Sequence, residues 1–273
     1  MALLPPFYMD AVVAIGVLLP NGNKHWIGTG FIVGRKEDDN KDLSTFYMIT
    51  NKHVIEKQQE VLFRFNSLSE NTPHDYQVPL YDNGIPGFTL HPDDKVDIVA
   101  IQLLPMTLIK DQSAWGAFDL EDNTLTLQEM QETGVEEGSL VYALGFPMNL
   151  VEDIKTPICR LGCISRIKNA FIEKSNKPTF LVDAEVFPGN SGGPIINRPE
   201  IISLDGTPVN NRASLIGILS AYIPYKNILI SQQTGEAQMV QTENSGLTVV
   251  YPVDRIKEVV ELEYKRTLKF RNK

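Results

Sequence analysis

The stretch Phe187-Pro188-Gly189-Asn190-Ser191-Gly192-Gly193-Pro194 sets one serine among three glycines. A serine hydroxyl is a weak nucleophile, so chemistry at Ser191 needs a base beside it and donors aimed where an oxyanion develops. Glycine lets the backbone bend sharply and leaves room for a substrate carbonyl. The peptide N–H groups of Gly189 and Ser191 are the donor candidates. The base candidate is His53, in Phe46-Tyr47-Met48-Ile49-Thr50-Asn51-Lys52-His53-Val54. Asp97, in Val96-Asp97-Ile98-Val99-Ala100-Ile101, is the candidate to orient it. A carboxylate in an apolar run is costly to bury without a donor, and an imidazole N–H would satisfy it. Taken singly, these residues have plainer readings as a turn, a packed histidine and an outward-facing strand carboxylate. Together they suit acyl transfer in the chain order His, Asp, Ser, which differs from the subtilisin and α/β-hydrolase orders.

Three side chains so far apart in sequence need rigid elements to bring them together. The dominant pattern is short β-type runs separated by turn residues. Predicted strands are Ala11–Val17, Gly30–Val33, Phe46–Thr50, Val61–Asn66 and Val96–Leu103 in the first half. Leu140–Leu144, Cys163–Ile167, Phe180–Val186, Pro194–Ile196, Leu215–Leu219 and Leu247–Tyr251 follow in the second. In Val61-Leu62-Phe63-Arg64-Phe65-Asn66 the odd positions are apolar, as in a half-buried strand. The acidic, polar segment 119–138 reads as a linker, with one or two helical turns in its LQEMQETG ending at Gly134. After Pro252, the residues Val253, Ile256, Val259, Val260 and Tyr264 follow helical spacing. Asp254 lies in the first turn and Lys265 and Arg266 near the end, which complements the helix dipole. The expected fold is all-β: two six-stranded antiparallel barrels, 8–118 carrying His53 and Asp97 and 139–252 carrying Ser191, then a helix over 253–266. A strand both before and after Ser191 excludes the nucleophile elbow, where a helix follows.

The chain has 273 residues, 42% of them hydrophobic and 22% charged, which disfavours wholesale disorder and fibrous or disulfide-stapled classes. The formal net charge of −9, with no Lys/Arg-dense stretch, argues against a nucleic-acid partner. No apolar run reaches the roughly 18 residues of a membrane-spanning helix. The apolar start MALLPPFYMDAVVAIGVLLP lacks an early Lys or Arg and is broken by Pro5, Pro6 and Asp10, a poor match to a secretory signal. With only two cysteines, the expectation is a reducing, cytoplasmic setting. Cys159 and Cys163 would lie about 13 Å apart on an extended strand, too far for a disulfide, and are expected as two small buried thiols. No metal or organic cofactor is implied. His25, His74 and His91 are scattered without ligand spacing, and Glu37–Asp42 lacks the glycine and ligand pattern of an EF-hand. Gly28-Thr29-Gly30 precedes a strand, so it lacks the helix N-terminus that a phosphate loop uses.

Seven segments in order resemble the trypsin-like serine peptidases of the chymotrypsin fold, and among them the bacterial HtrA/DegP-like branch. They are GTGFIV (28–33), TNKHVI (50–55), DIVAIQL (97–103), ALGFP (143–147), DAEVFPGNSGGPI (183–195), LIGILSA (215–221) and GLTVVYP (246–252). The resemblance implies a serine endopeptidase acting on polypeptides through an acyl-enzyme. It implies Ser191 as nucleophile, His53 as base, Asp97 as its orienting partner, and the N–H groups of Gly189 and Ser191 as the oxyanion hole. It also implies substrate pairing along Ser220, Ala221 and Tyr222, and sets Glu185 at the position that forms the floor of the S1 pocket in trypsins, where a carboxylate would favour Lys or Arg; in HtrA-like members that wall is shaped differently, and a solvated strand glutamate is the plainer reading. Secreted trypsins carry an Asp before the nucleophile that pairs with a cleaved N-terminus; here that position is Asn190, so activation by that route is not expected. In a sequence of this length no counterpart is expected of the PDZ domain that follows the peptidase in HtrA proteins, and the oligomeric state does not carry over. A catalytically weak or latent module that binds extended polypeptides, or awaits an activating partner, is the alternative. Pro224–Ser245, near the expected specificity wall, is a candidate lid.

Overall fold

A computed structural model describes residues 4–151, 156–172, 179–200 and 209–271. In the N-terminal unit the strands are β1 (Val12–Leu18), β2 (Lys24–Lys36), β3 (Ser44–Thr50), β4 (Glu60–Ser67), β5 (His74–Pro79), β6 (Phe88–Leu90) and β7 (Val99–Leu103). The main path runs β4-β1-β2-β3-β7-β6, with the two-residue strand Ser113–Ala114 outside β4 and β5 also paired to β4. This is a curled antiparallel sheet whose hydrogen-bonded path does not close on itself. In the C-terminal unit, β8 (Leu140–Gly145), β9 (Ile158–Arg166), β10 (Phe180–Asp183), β11 (Pro194–Asn197), β12 (Leu215–Ile230) and β13 (Ala237–Pro252) form a closed barrel, in the order β8-β9-β10-β13-β12-β11. The all-β architecture agrees with the sequence pattern and is consistent with a double barrel, the second unit closed with six strands and the first a half-barrel sheet.

Period-two alternation explains why the strands of the first sheet are apolar on both faces. Val13 and Ile15 of β1, Ile32 of β2 and Met48 of β3 fill the core inside the curl, together with Val61, Phe63 and Phe65 of β4. Their neighbours Val12, Ala14, Phe31, Val33, Tyr47 and Ile49 point the other way, into a second core. That second core also takes Leu144, Ile196, Leu215, Ile218 and Tyr251 from the barrel, so it lies between the two units. Arg64, the polar position of β4, holds Asp75 through two 2.7 Å hydrogen bonds and lies 4.3 Å over the Trp26 ring.

Four helices matter to the site. Phe7–Asp10 (α1) sends the Tyr8 hydroxyl across to the carbonyl of Ala213 at 2.8 Å. Lys52–Ile55 (α2) follows β3 directly. Helix α3 (Leu127–Glu132) starts from a capping box, with Thr126 and Glu129 satisfying each other's backbone donors. The final helix α4 runs Val253–Arg271, longer than its apolar spacing indicated, and buries Val253, Ile256, Val259, Val260 and Tyr264 in the inter-unit core. It is also tied to the first unit by polar contacts. Glu263, fully buried, accepts from Thr89 and from Arg266, and Glu258 pairs with buried His91 at 2.7 Å.

Two expectations change. Cys159 is exposed and Cys163 intermediate, both as free thiols, because alternate residues of β9 face outward while Ile164 points into the barrel. Segment 224–245, which the sequence pattern leaves without a conformation, is the far end of the β12–β13 hairpin, closed by a turn in which Ser231 donates to the carbonyl of Glu236. Among the described residues no helix is long and apolar enough to cross a membrane.

Truncating one side chain at the junction tests this division of cores. Ile256→Ala should lower unfolding stability by about 2–5 kcal/mol, the range for a fully buried Ile cut to Ala, measured by urea denaturation. A change under about 1 kcal/mol would contradict a shared core beneath α4.

Candidate active site

His53 sits in the first turn of α2. Asn51, extended at the N-cap (ψ 147°), turns the chain from β3 into the helix. Asp97 lies just ahead of β7, outside the ladder, so its carboxylate is free to face a neighbour. It accepts the His53 peptide N–H at 3.0 Å on Oδ1, and its Oδ2 lies 2.6 Å from His53 Nδ1. Ser220, from β12 of the barrel, donates its hydroxyl to the same Oδ2 at 3.2 Å. One carboxylate therefore gathers donors from both units. The hydrogen bond from His53 Nδ1–H to Asp97 raises the His53 pKa above its ordinary value; burial opposes this, and the negative charges of Asp97 and Glu56 reinforce it.

Ser191 is presented by two tight turns in succession. Asn190 donates to the Phe187 carbonyl at 3.0 Å across a turn with Pro188 at its second position and Gly189 (φ 101°) at its third, the pattern of a type II turn. Gly193 then donates to the Asn190 carbonyl at 2.9 Å across a turn with Gly192 (φ 85°) third. A side chain at Gly192 would collide with the Thr29 carbonyl and the Thr50 hydroxyl, so glycine is needed there for space as well as for φ. Among the described residues, the N–H groups of Gly189 and Ser191 have no hydrogen-bond acceptor. The Ser191 hydroxyl bonds the Ser220 carbonyl at 3.3 Å and makes no hydrogen bond with the His53 ring.

Ser191 and His53 line the same cavity, of about 380 Å³. Its wall is otherwise apolar, from Val186, Phe187, Pro188, Leu219 and Tyr222, and Ser220 and Ala221 line it too. Glu185 is absent from this lining. Alternation along 183–186 buries Ala184 and Val186 and turns Glu185 outward, its side chain 79% exposed and 4.0 Å from Arg160. The expected acidic pocket floor is therefore not built, because this residue falls on the wrong face of an extended segment. Among the described residues no group of three or more His, Cys, Asp or Glu side chains could hold a metal ion.

Sequence reasoning did not single out Asn51 or the role of Thr29. Asn51 is fully buried, and its amide donates to the Asp97 carbonyl at 2.7 Å, fixing the residue that meets His53. Thr29 is also fully buried, and its hydroxyl bonds the Gly189 carbonyl at 2.6 Å. The available signal was a hydroxyl inside an apolar strand, which must find a partner once buried.

A probable periplasmic serine endoprotease, DegP-like, of Halomonas elongata is 27% identical over 199 residues. The match covers 72% of this chain and 32% of that protein, so the chain spans about a third of its relative's length. Among solved structures, the MamO protease domain of Magnetospirillum magneticum in its apo form is similar at 17% identity and a TM-score of 0.48, covering 92% of this chain and 96% of that one. The inactive form of the Rv3671c protease, a protein of M. tuberculosis, is similar at 15% identity and a TM-score of 0.45, covering 93% and 89%. A profile of the trypsin-like peptidase domain matches residues 28–200, a span that contains His53, Asp97 and Ser191, and the chain belongs to that family.

Proposed function

We propose that this protein is a serine endopeptidase that cleaves polypeptides through a His53–Asp97–Ser191 triad and an acyl-enzyme. The observation that carries the reading is the Asp97 carboxylate against His53 Nδ1, with the imidazole sharing a cavity with Ser191. With Nδ1–H committed to Asp97, Nε2 is left as the base. In the proposed cycle the Ser191 hydroxyl swings from the Ser220 carbonyl to Nε2, gives up its proton and attacks the scissile carbonyl. The N–H groups of Gly189 and Ser191, without an acceptor among the described residues, would take the oxyanion, each such donor typically contributing about 2.7–4 kcal/mol. His53 then protonates the leaving amine, and water enters by the same route to release the acyl group. The substrate backbone would pair with Ser220, Ala221 and Tyr222 as an added strand.

The resting position of the Ser191 hydroxyl favours a second reading, in which the module binds polypeptide and becomes competent only when substrate or a partner turns that hydroxyl. A fluorophosphonate probe separates the two, because labelling of the isolated protein at Ser191 requires an activated hydroxyl.

Three measurements check the main reading. Ser191→Ala should lower kcat by about a millionfold against a cleavable peptide; unchanged hydrolysis would exclude Ser191 as nucleophile. A general base works only when neutral, and the protonated fraction of His53 grows as pH falls through its raised pKa. The acid limb of kcat/KM should therefore have its midpoint above about 6.5, and Asp97→Asn should move it down. Peptide-library profiling should show cleavage after apolar residues, matching the cavity wall, with the same profile in Glu185→Gln; a preference for Lys or Arg that this variant abolishes would reverse the assignment.

A further inference from the structure

Thr29 belongs to β2 of the N-terminal unit, yet two of its polar atoms hold the Ser191 loop of the barrel. Its N–H donates to the Ser191 carbonyl at 2.9 Å, and its hydroxyl donates to the Gly189 carbonyl at 2.6 Å. The second bond can run only this way, because a carbonyl has no proton to give, and the hydroxyl oxygen in turn accepts the Phe146 N–H at 3.0 Å. The Thr29 carbonyl is held in turn by the Thr50 hydroxyl at 2.7 Å. The two captured carbonyls flank Asn190, which is buried and uncharged and so supplies no ion pair behind the loop.

The loop needs an anchor because Gly189 accepts either sign of φ. Rotating the Pro188–Gly189 peptide would convert the type II turn to type I and reverse the Gly189 N–H. In a trans peptide the C=O and N–H point in opposite directions. The Met148 N–H grips the Pro188 carbonyl at 2.7 Å and so sets the Gly189 N–H the other way. Thr29 fixes the next carbonyl along.

We propose that Thr29 is a positioning residue for the oxyanion-binding peptides, its hydroxyl and amide holding the Gly189 and Ser191 carbonyls so that both N–H groups stay available to substrate. The inference rests on the peptidase reading of Ser191 and assigns to an uncharged cross-unit clamp the work of ordering the loop.

The test compares Thr29→Val, which keeps the shape and loses the hydroxyl, with Thr29→Ser, which keeps the hydroxyl. Turnover of a peptide substrate and amide exchange at Asn190, Gly192 and Gly193 are read in each, with exchange in Leu140–Gly145 as internal reference. Thr29→Val should lose about 10–100-fold in kcat with KM within about twofold, and exchange faster at the three loop amides and at Phe146, whose acceptor it removes, while Thr29→Ser matches wild type in both. Unchanged loop exchange in Thr29→Val overturns the clamp, and so does a Thr29→Ser protein as impaired as Thr29→Val. Should Thr29→Val not fold, Thr29→Ala carries the same comparison. Wild-type protein that cleaves nothing, but shows the expected exchange pattern across the variants, sinks the peptidase reading and leaves the clamp standing.

Discussion

The carboxylate of Asp97 is where the two units must agree. It sits at their junction, only 23% exposed at the side chain, and its acceptor sites are filled by the His53 amide and ring from one unit and by the Ser220 hydroxyl from the other. An anion so placed is tolerated only while its donors are present, because the desolvation cost is offset bond by bond. Docking of sheet on barrel therefore satisfies the acid and places Ser220, whose own carbonyl meets the Ser191 hydroxyl, in one step. Fold stability and the arrangement of the site rest on the same few contacts.

The shared apolar core supplies the driving force for that docking. Along β1, β2 and β3, alternate side chains feed two separate cores, so a shift of one residue in register would exchange them. This makes the placement of Thr29 stringent, since it reaches from β2 to the Ser191 loop, while Thr50 and Asn51 pair within the first unit and hold the Thr29 and Asp97 carbonyls. A buried polar group such as Thr29 favours one docked geometry, because another leaves it unpaired.

Much of this was legible in the sequence, and what was missed follows a pattern. Alternation in Val61–Asn66 and helical spacing after Pro252 reported the cores faithfully, since burial of apolar faces is a local periodicity. The glycines around Ser191 marked sharp turns for the same reason. Glu185 misled because its distance from Ser191 in the chain says nothing about which way an extended residue faces, and here its neighbours Ala184 and Val186 take the inside. Thr29 and Asn51 stayed hidden because their partners, the carbonyls of Gly189 and Asp97, are far away in sequence and are backbone atoms that no side-chain motif encodes. The 224–245 hairpin carried no usable period, with Ile228, Leu229 and Ile230 consecutive, apolar and all exposed.

Each end of the described chain crosses to the opposite unit: Tyr8 reaches the barrel at Ala213, and α4, packed on the barrel strands, grips Thr89 and His91 of the first sheet. Buckled from both sides, the groove between them has little freedom to gape. Under the proposed peptidase reading, the demand for a change of shape then falls on the polypeptide that enters, and a chain end, a slack stretch or a loop long enough to lie flat would meet it where a folded surface would not.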